Sequence, residues 1–294
     1  MKNILDLIGN TPLVKLSDDV NIYVKLEYLN PSGSVKDRVA KKIITEAIRK
    51  GELKKGMEIV EATSGNMGIS LALVGKQLGY DVTIIMPENM SDERKSMIEK
   101  LGAKLILTSA KLSIGGSVDY LNENYMNDEN IYLPNQFANI ENISAHYEGT
   151  AKELFAQMDE KVDIFISGIG SGGTISGVAK YLKGKNSNIK IIAVEPEGAS
   201  ALLGDKPKKH ALQGIGDGFI PEILEVDLID EIVTVSDEVA IKYTKKLVKE
   251  SGLMCGISSG ANVAVAEMMS EKYGNEYNII TLLPDRLERY ISVL

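Results

Sequence analysis

A strand that runs directly into a glycine-rich turn and then a helix is the feature that most limits how this chain can fold. The segment VDIFISGIGSGGT, residues 162–174, is its clearest instance, and a helix is predicted after it over 175–182. The unit recurs at EIVEAT (58–63), which continues into SGNMG and a helix predicted over 69–78. Alternating strands and helices predict parallel sheets covered by helices on both faces. Glycine turns at strand ends place ligand chemistry at the carboxyl edges of those sheets.

Two runs of this unit, one before about residue 145 and one after it, predict two lobes with a cleft between them. We expect an α/β protein with twisted, mostly parallel sheets. The helix predicted over 91–101 begins at Ser91 and places Arg94 and Lys95 on its solvent face. The other strands are predicted at 21–29, 81–87, 103–108, 189–196 and 278–285, and the other helices at 35–49 and 145–158.

Composition excludes several classes of function. The 294 residues are 44% hydrophobic and 25% charged, which is ordinary for a globular protein. A formal charge of −8 argues against nucleic acid as a partner. No stretch approaches ~18 consecutive apolar residues and no signal peptide is recognisable, so we expect a cytoplasmic protein without a membrane partner. Cys255 is the single cysteine and His146 and His210 are the two histidines, which argues against a metal site or a histidine triad.

Two polar glycine turns are candidate anion sites. GIGSGGT (168–174) combines close backbone approach with the start of a helix, and its hydroxyl groups can donate to a phosphate. TSGNMG (63–68) combines three polar side chains with two glycines. A dinucleotide site is an alternative for the first turn, because Gly168, Gly170 and Gly173 have the required spacing and Glu195 ends the next strand.

Lys36 stands apart from the other lysines. It follows the Pro-Ser-Gly-Ser turn of NPSGSVKDR (30–38) and begins a helix with an apolar face. A cation is unfavourable at a helix N-terminus, so the position lowers the pKa of this amine. A neutral amine is what a lysine that forms a Schiff base requires.

Together these stretches resemble the cysteine synthase (O-acetylserine sulfhydrylase) and cystathionine β-synthase branch of the fold-type II pyridoxal phosphate enzymes. The resemblance replaces the dinucleotide interpretation and implies a tryptophan synthase β-like fold. It implies a smaller, mobile substrate-loop domain at 36–145 and a larger cofactor-phosphate-binding domain at 1–35 and 146–294. The matching segments, in the same order and spacing, are IGNTPLVKL (8–16), KLEYLNPSGSVKDR (25–38), EATSGNMGISLA (61–72), NQFANIEN (135–142), SGIGSGGTISG (167–177), AVEPEGAS (193–200), HALQGIGDGFIP (210–221), CGISSGANVA (255–264) and LLPDRLERYIS (282–292).

The resemblance also implies a role for individual residues. Lys36 matches the lysine that forms the internal aldimine with pyridoxal 5'-phosphate and then serves as acid and base at the substrate α-carbon. Asn66 matches the asparagine on the pyridine 3′-oxygen, and Ser258 the residue that faces the pyridine nitrogen. The residues that match the family's binding loop for the cofactor phosphate are Gly170, Ser171, Gly172, Gly173 and Thr174. Those that match its binding groups for the substrate carboxylate are Thr63, Ser64 and Gln136.

The implied reaction is β-replacement or β-elimination on an L-serine or L-cysteine derivative through an α-aminoacrylate. A serine beside the pyridine nitrogen is a weaker partner than a carboxylate, which favours loss of the β-substituent over transamination or racemisation. Our main interpretation is a cysteine synthase-like enzyme that converts O-acetylserine and sulfide to cysteine and acetate, acting as a homodimer on a small amino-acid substrate. The alternative is a hydrogen sulfide-producing enzyme with L-cysteine as donor, which forms pyruvate, lanthionine or serine. A dehydratase and a scaffold without turnover are minor alternatives.

Departures from the family pattern cluster at the substrate end. Met67 occupies a position that is usually threonine, NIEN (139–142) replaces a proline-containing turn, and Arg286-Leu287 replaces a small residue and a glycine. Asp217 replaces a small residue and is expected at the cleft mouth, where it could orient a water or a second substrate. We therefore assign Met67 and Asp217 to the substrate site and keep the sulfide-releasing alternative. We also expect Cys255 to be a buried, inert thiol, His146 to begin a helix, and His210 to be structural or gating.

Overall fold

The computed structural model describes residues 3–291. Residues 1, 2 and 292–294 of the predicted larger domain therefore lie outside the described residues, and residue 292 is also the last residue of the final family segment. The strands are β1 (Leu13–Ser17), β2 (Val20–Lys25), β3 (Glu58–Ala62), β4 (Asp81–Pro87), β5 (Lys104–Thr108), β6 (Ile131–Tyr132), β7 (Ile164–Gly168), β8 (Lys190–Pro196), β9 (Glu231–Val235) and β10 (Ile279–Leu282). The helices are α1 (Lys36–Lys50), α2 (Asn66–Gln77), α3 (Asp92–Lys100), α4 (Ser113–Tyr125), α5 (Glu141–Ala145), α6 (Ala151–Gln157), α7 (Gly173–Lys185), α8 (Asp237–Ser251) and α9 (Ile257–Tyr273).

The strands form two sheets. The larger has the order β1-β2-β10-β7-β8-β9 and the smaller the order β5-β4-β3-β6. Every strand pair is parallel except β1 with β2, which confirms the expectation of mostly parallel sheets. The last strand, β10, lies between β2 and β7, so strands from early and late in the sequence are neighbours in the larger sheet. The smaller sheet is made entirely from residues between 58 and 132.

The central strands read as short apolar runs because both of their faces are covered. In β7, Ile164, Phe165 and Ile166 have no exposed surface. Beneath the smaller sheet, α1 and α2 pack their apolar faces into a core that includes Val39, Ile43 and Met67. Parallel strands need long crossovers, and the helices supply them while leaving the carboxyl strand ends clear. The carboxyl ends of β3, in the smaller sheet, and of β7 and β10, in the larger sheet, therefore face a common space.

Several element boundaries differ from those predicted. The strand predicted at 21–29 ends at Lys25 and is followed by a 3-10 turn, and the helix predicted from residue 69 begins at Asn66. No element is predicted from the sequence at the positions of β1, β6, β9, α4, α8 and α9. The three helices among them, α4, α8 and α9, do not follow the pattern of a strand and a glycine-rich turn on which the predictions depend.

The prediction that Arg94 faces solvent is wrong. Its side chain is buried, its Nη1 donates to the Gln213 side-chain oxygen at 2.5 Å, and its guanidinium lies 5.1 Å from the centre of the Tyr290 ring. Ser91 is the N-cap residue of α3, but its side chain makes no capping hydrogen bond. Local periodicity did not reveal the burial, because α3 packs against the C-terminal segment, more than 180 residues later in the chain. Within residues 3–291, no helix is long and apolar enough to cross a membrane.

Candidate active site

A cavity lies between the two sheets, at the carboxyl ends of β3, β7 and β10. This is where parallel α/β sheets characteristically bind ligands. The site residues predicted from the sequence border it with one exception, Gly173, which lies just behind the wall. Those that border it are Lys36, Thr63, Ser64, Asn66, Met67, Gln136, Gly170, Ser171, Gly172, Thr174, Asp217 and Ser258.

Lys36 is the first residue of α1 and is half-buried in the cavity wall. Its Nζ donates to Ser171 Oγ at 3.0 Å, across the space between the two lobes. Burial lowers the pKa of Lys36 to about 8, and the Asp217 carboxylate opposes that change. A substantial neutral fraction near neutral pH suits this amine to act as a nucleophile and as a base.

The turn at 168–174 is crowded from behind. A Cβ on Gly170 would overlap the backbone carbonyl of Gly214, and one on Gly173 would overlap the amide of Asn142. Gly172 has a φ of 83°, which few other residues adopt. The turn leads into α7, whose first N–H groups have no helical acceptor and whose dipole favours an anion. Packing and backbone conformation therefore require glycine at these positions.

His146 supports the same turn. It is the first residue of a π-helical turn, which agrees with the expectation that it begins a helix, although α5 ends at the preceding residue and the helical backbone is continuous. This π-helical turn lies between α5 and α6, and His146 is completely buried. Its Nδ1 lies 3.0 Å from Thr150 Oγ1, and its Nε2 lies 3.2 Å from Thr174 Oγ1. Burial, with Lys36 and Arg38 nearby, holds its pKa well below the usual range, so the imidazole is neutral.

The second turn, 63–68, is more open. The N–H of Gly65 donates to Thr63 Oγ1 at 3.2 Å, and the helix α2 begins at Asn66. Apart from its two chain neighbours, a Cβ on Gly65 would meet no described atom within 4 Å, whereas a Cβ on Gly68 would lie 3.0 Å from Ile84 Cγ2. The early start of α2 puts free backbone N–H groups at the cavity. Met67 borders the cavity, yet its side chain has no exposed surface and packs into the core of the smaller lobe.

Asp285, which the sequence analysis did not assign, fixes the orientation of Asn66. One oxygen of this carboxylate accepts from the Asn66 amide at 2.7 Å and from the Tyr290 hydroxyl at 2.5 Å. Asn66 Oδ1 is buried and has no hydrogen-bond partner among the described residues, so it is left for a ligand. Ser258, in the first turn of α9, is nearly buried and faces the same cavity. Asp285 lies three residues after the end of β10, so the rule that ligands bind at carboxyl strand ends could have found it.

The rest of the cavity wall comes from two loop segments, around Gln136 and Asp217, and from the helix α4. Gln136 is almost fully buried, whereas Asp217 is exposed to solvent. The rings of Phe137 and Phe219 pack edge to face with centres 5.1 Å apart. Ile114, on the unpredicted helix α4, also lines the wall. His210, expected to be structural or gating, has its Nε2 2.9 Å from the Gly216 carbonyl and braces the Asp217 loop.

Two further expectations have a clear structural outcome. Cys255 is fully buried and burial raises the pKa of its thiol to about 12, so it is the inert thiol that was expected. Glu195 is also buried, and its carboxylate accepts the Ser200 hydroxyl and the N–H groups of Ala201 and Leu202. A carboxylate engaged in this way is not free for a ribose, which removes the dinucleotide alternative.

Burial lowers the pKa of the Lys36 amine to about 8, and the amine lies opposite a glycine turn that suits an anion, an arrangement that fits an enzyme with a phosphorylated aldehyde as cofactor. The comparisons with known proteins agree. The profile of the family described as pyridoxal-phosphate dependent enzyme matches residues 4–285. The chain belongs to this family, and its cofactor is pyridoxal phosphate.

Individual relatives include enzymes that match each of the two interpretations of the sequence. The chain is 46% identical to cysteine synthase B of Campylobacter jejuni over 99% of this chain and 97% of that protein. The crystal structure of cysteine synthase from Entamoeba histolytica superposes with a TM-score of 0.95 at 44% identity, covering 100% of this chain and 90% of that one. A hydrogen sulfide-producing enzyme of Fusobacterium nucleatum superposes with a TM-score of 0.94 at 40% identity, covering 99% and 100%. The chain is therefore similar to enzymes on both sides of the choice that the sequence left open.

The residues of the cavity fit the cofactor. The crowded glycine turn at the start of α7 suits a phosphate, and the half-buried amine of Lys36 suits the aldehyde. The buried Asn66 Oδ1, which has no hydrogen-bond partner within the described residues, suits a ring substituent. Lys36 and Ser171 are within hydrogen-bond distance of one another, so the amine for the aldehyde and the turn for the phosphate lie side by side.

Proposed function

We propose that the protein is a cysteine synthase-type enzyme that replaces the acetoxy group of O-acetylserine with hydrosulfide, giving cysteine and acetate. The observation that carries the proposal is the position of Lys36, with a pKa near 8, between two turns that each suit a different anion. One anion is the phosphate of the cofactor and the other is the carboxylate of the amino acid.

The turn 170–174 and Lys36 would hold the cofactor, which supplies a sink for the charge left when the α-proton departs. Lys36 takes that proton from the α-carbon and returns it after hydrosulfide has added at the β-carbon. Ser258 gives the ring nitrogen a hydroxyl partner, which is weaker than a carboxylate. This arrangement favours departure of the β-substituent over competing reactions at the α-carbon.

Thr63, Ser64 and Gln136 are proposed to bind the substrate carboxylate. Support comes from the start of α2 at Asn66, because the positive end of a helix dipole and its free N–H groups stabilise an anion there. The open space above Gly65 leaves room for that group. The buried side chain of Met67 does not present a hydroxyl, so its contribution is to the wall behind the turn.

Use of L-cysteine as the donor, with release of sulfide, is the second candidate. The Asp217 carboxylate favours it, because an exposed acid at the cavity mouth can orient or deprotonate a water or thiol that adds at the β-carbon. Water as the nucleophile gives serine and sulfide from cysteine, and a second cysteine gives lanthionine and sulfide.

One assay separates the candidates. The purified protein is mixed with O-acetylserine plus sulfide, and separately with cysteine alone, while sulfide and amino-acid products are measured. We expect rapid cysteine formation in the first mixture, and failure to form it would refute the main proposal. The same assays on Asp217→Ala test the second candidate, since unchanged product ratios would remove Asp217 from the chemistry.

Three finer expectations accompany this function. We propose a homodimer, a cytoplasmic location and a smaller lobe, 36–145, that moves relative to the rest when substrate binds. The separate four-stranded sheet supports the last of these. Light scattering of the holoenzyme, and hydrogen exchange with and without O-acetylserine, measure the assembly state and the movement.

A further inference from the structure

The segment Asn135–Gln136 is hydrogen-bonded both to β3, which leads to the turn 63–68, and to Asn142, which contacts the turn 168–174. Gln136 is 4% exposed and lines the cavity, while Asn135 has a φ of 48°, in the left-handed region that non-glycine residues seldom adopt. A backbone in this conformation persists where its surroundings hold it. Two buried side chains do so here, one on each side of the segment.

Glu61, on β3, holds the N–H side. Its carboxylate accepts the Asn135 N–H at 2.9 Å, and the backbone N–H of Gln136 comes next in the chain. The side chain is 4% exposed, and its burial raises the pKa to about 7 although these two neighbouring N–H groups oppose the rise. Glu61 precedes Thr63 by two residues, so one strand end carries a proposed carboxylate ligand and also holds the segment that supplies another.

Asn142 holds the carbonyl side. This side chain has no exposed surface, and its amide donates to the Gln136 carbonyl at 2.8 Å. The same amide donates to Ser171 Oγ at 2.9 Å, in the proposed phosphate turn. The backbone of Gln136 is thus fixed on one side by the strand that leads to the substrate turn, and on the other by a residue that also contacts the cofactor turn.

We propose that Glu61 is a positioning residue for the substrate carboxylate, because it sets the backbone of Gln136 relative to Thr63. The inference rests on the proposed substrate site. Glu61 itself does not border the cavity, so it acts through Gln136 and not by contact with substrate. Asn142 is the counterpart that couples the same segment to the cofactor.

The chain offers a matched control for burial alone. Glu195, on β8 of the larger sheet, is another buried carboxylate that accepts backbone N–H groups, at 3.2 Å from Ala201 and 3.3 Å from Leu202. It lies outside the cavity wall. Removal of either carboxylate leaves buried donors unsatisfied, but only Glu61 holds a residue that faces the substrate.

The test compares the holoenzyme variants Glu61→Ala, Glu61→Gln, Asn142→Ala and Glu195→Ala. We expect Glu61→Ala to raise KM for O-acetylserine about tenfold or more with kcat changed far less, and to retain the cofactor. Glu61→Gln keeps an acceptor oxygen and stays within about threefold of the parent. Asn142→Ala both raises KM and weakens cofactor retention. Glu195→Ala lowers Tm and leaves KM unchanged.

The proposal is overturned if KM rises no more in Glu61→Ala than in Glu195→Ala, or if Glu61→Gln is as impaired as Glu61→Ala. Where Glu61→Ala does not fold, Glu61→Asp withdraws the acceptor by one methylene and takes its place, with the same expected rise in KM. Failure of the parent protein to convert O-acetylserine would count against the proposed function alone. In that case, the dissociation constant for L-cysteine, measured from the absorbance of the bound cofactor, still tests Glu61.

Discussion

The two strand–turn–helix units around the cavity use similar residues for different ends. In the unit β7–α7, the glycines are enclosed, and side chains at Gly170 and Gly173 would overlap neighbouring atoms. In the unit β3–α2, a side chain at Gly65 would meet no described atom within 4 Å. The first turn is enclosed by packing along most of its length, whereas the second keeps free space at Gly65 and is packed only at Gly68, where a Cβ would lie 3.0 Å from Ile84 Cγ2. We infer that the enclosed turn serves the resident cofactor and the open turn serves a substrate that must enter and leave.

Lys36 lines the cavity that both turns border, so its loss should have the largest effect. Lys36→Ala is expected to reduce turnover about 10³-fold or more, because it removes the group that accepts and returns the α-proton. Steady-state assays with O-acetylserine and sulfide measure this. Lys41→Ala, in the body of α1, is the control and should leave turnover within about twofold, since that position carries no chemistry. Near-normal turnover in Lys36→Ala would contradict the whole mechanism.

Gly173→Ala should damage the enclosed turn. The added methyl group would overlap the Asn142 amide, and such overpacking costs about 1–3 kcal/mol, or roughly tenfold to a hundredfold in cofactor affinity. Titration of the apoenzyme with pyridoxal phosphate, followed by absorbance, gives the dissociation constant. Unchanged affinity would mean that the turn is not shaped by the packing behind it.

Gly65→Ala is the matched change in the open turn. Its methyl group enters free space, so we expect cofactor affinity within about twofold of the parent and KM for the amino acid raised about tenfold by lost room for the carboxylate. KM and cofactor affinity measured on one preparation decide the matter. If both glycine variants changed the same quantity, the division between the two turns would fail.

The ionisation of Lys36 gives a test by pH. Because burial lowers its pKa to about 8, the neutral amine falls as pH drops through that value and is fully present above it. The rate at which the apoenzyme captures pyridoxal phosphate should therefore level off above pH 8 to 9, and at pH 7 should be about a tenth of the plateau. Stopped-flow absorbance across this range is the measurement. A rate that keeps climbing past pH 10 would show an ordinary lysine.

Met67→Thr should have the smallest effect on chemistry. Because the Met67 side chain is buried in the core, the change removes packing and buries a hydroxyl, which costs about 1–3 kcal/mol of unfolding free energy. We expect the preference for O-acetylserine over cysteine to shift less than about threefold. Chemical denaturation and paired kinetics measure the two effects. A large change in donor preference at unchanged stability would show that Met67 contacts substrate.

Much of this arrangement could be predicted because it depends on neighbours in sequence. The glycine turns, Lys36 at the start of its helix and the parallel sheets all follow from local pattern and spacing. What could not be predicted depends on residues far apart in the chain. Arg94 is buried by Tyr290, and Asn66 is oriented by Asp285, more than 200 residues later. Met67 was placed among the substrate ligands by position, but the depth of its side chain is set by tertiary packing.

The central claim is that Lys36, set between the two turns, carries the cofactor. Reduction of the purified holoenzyme with borohydride, followed by digestion and mass spectrometry, identifies the lysine to which pyridoxal phosphate is attached. The account predicts the modification on the peptide that contains Lys36, with the other lysines unmodified. Attachment at another lysine, with Lys36 recovered unmodified, would contradict it.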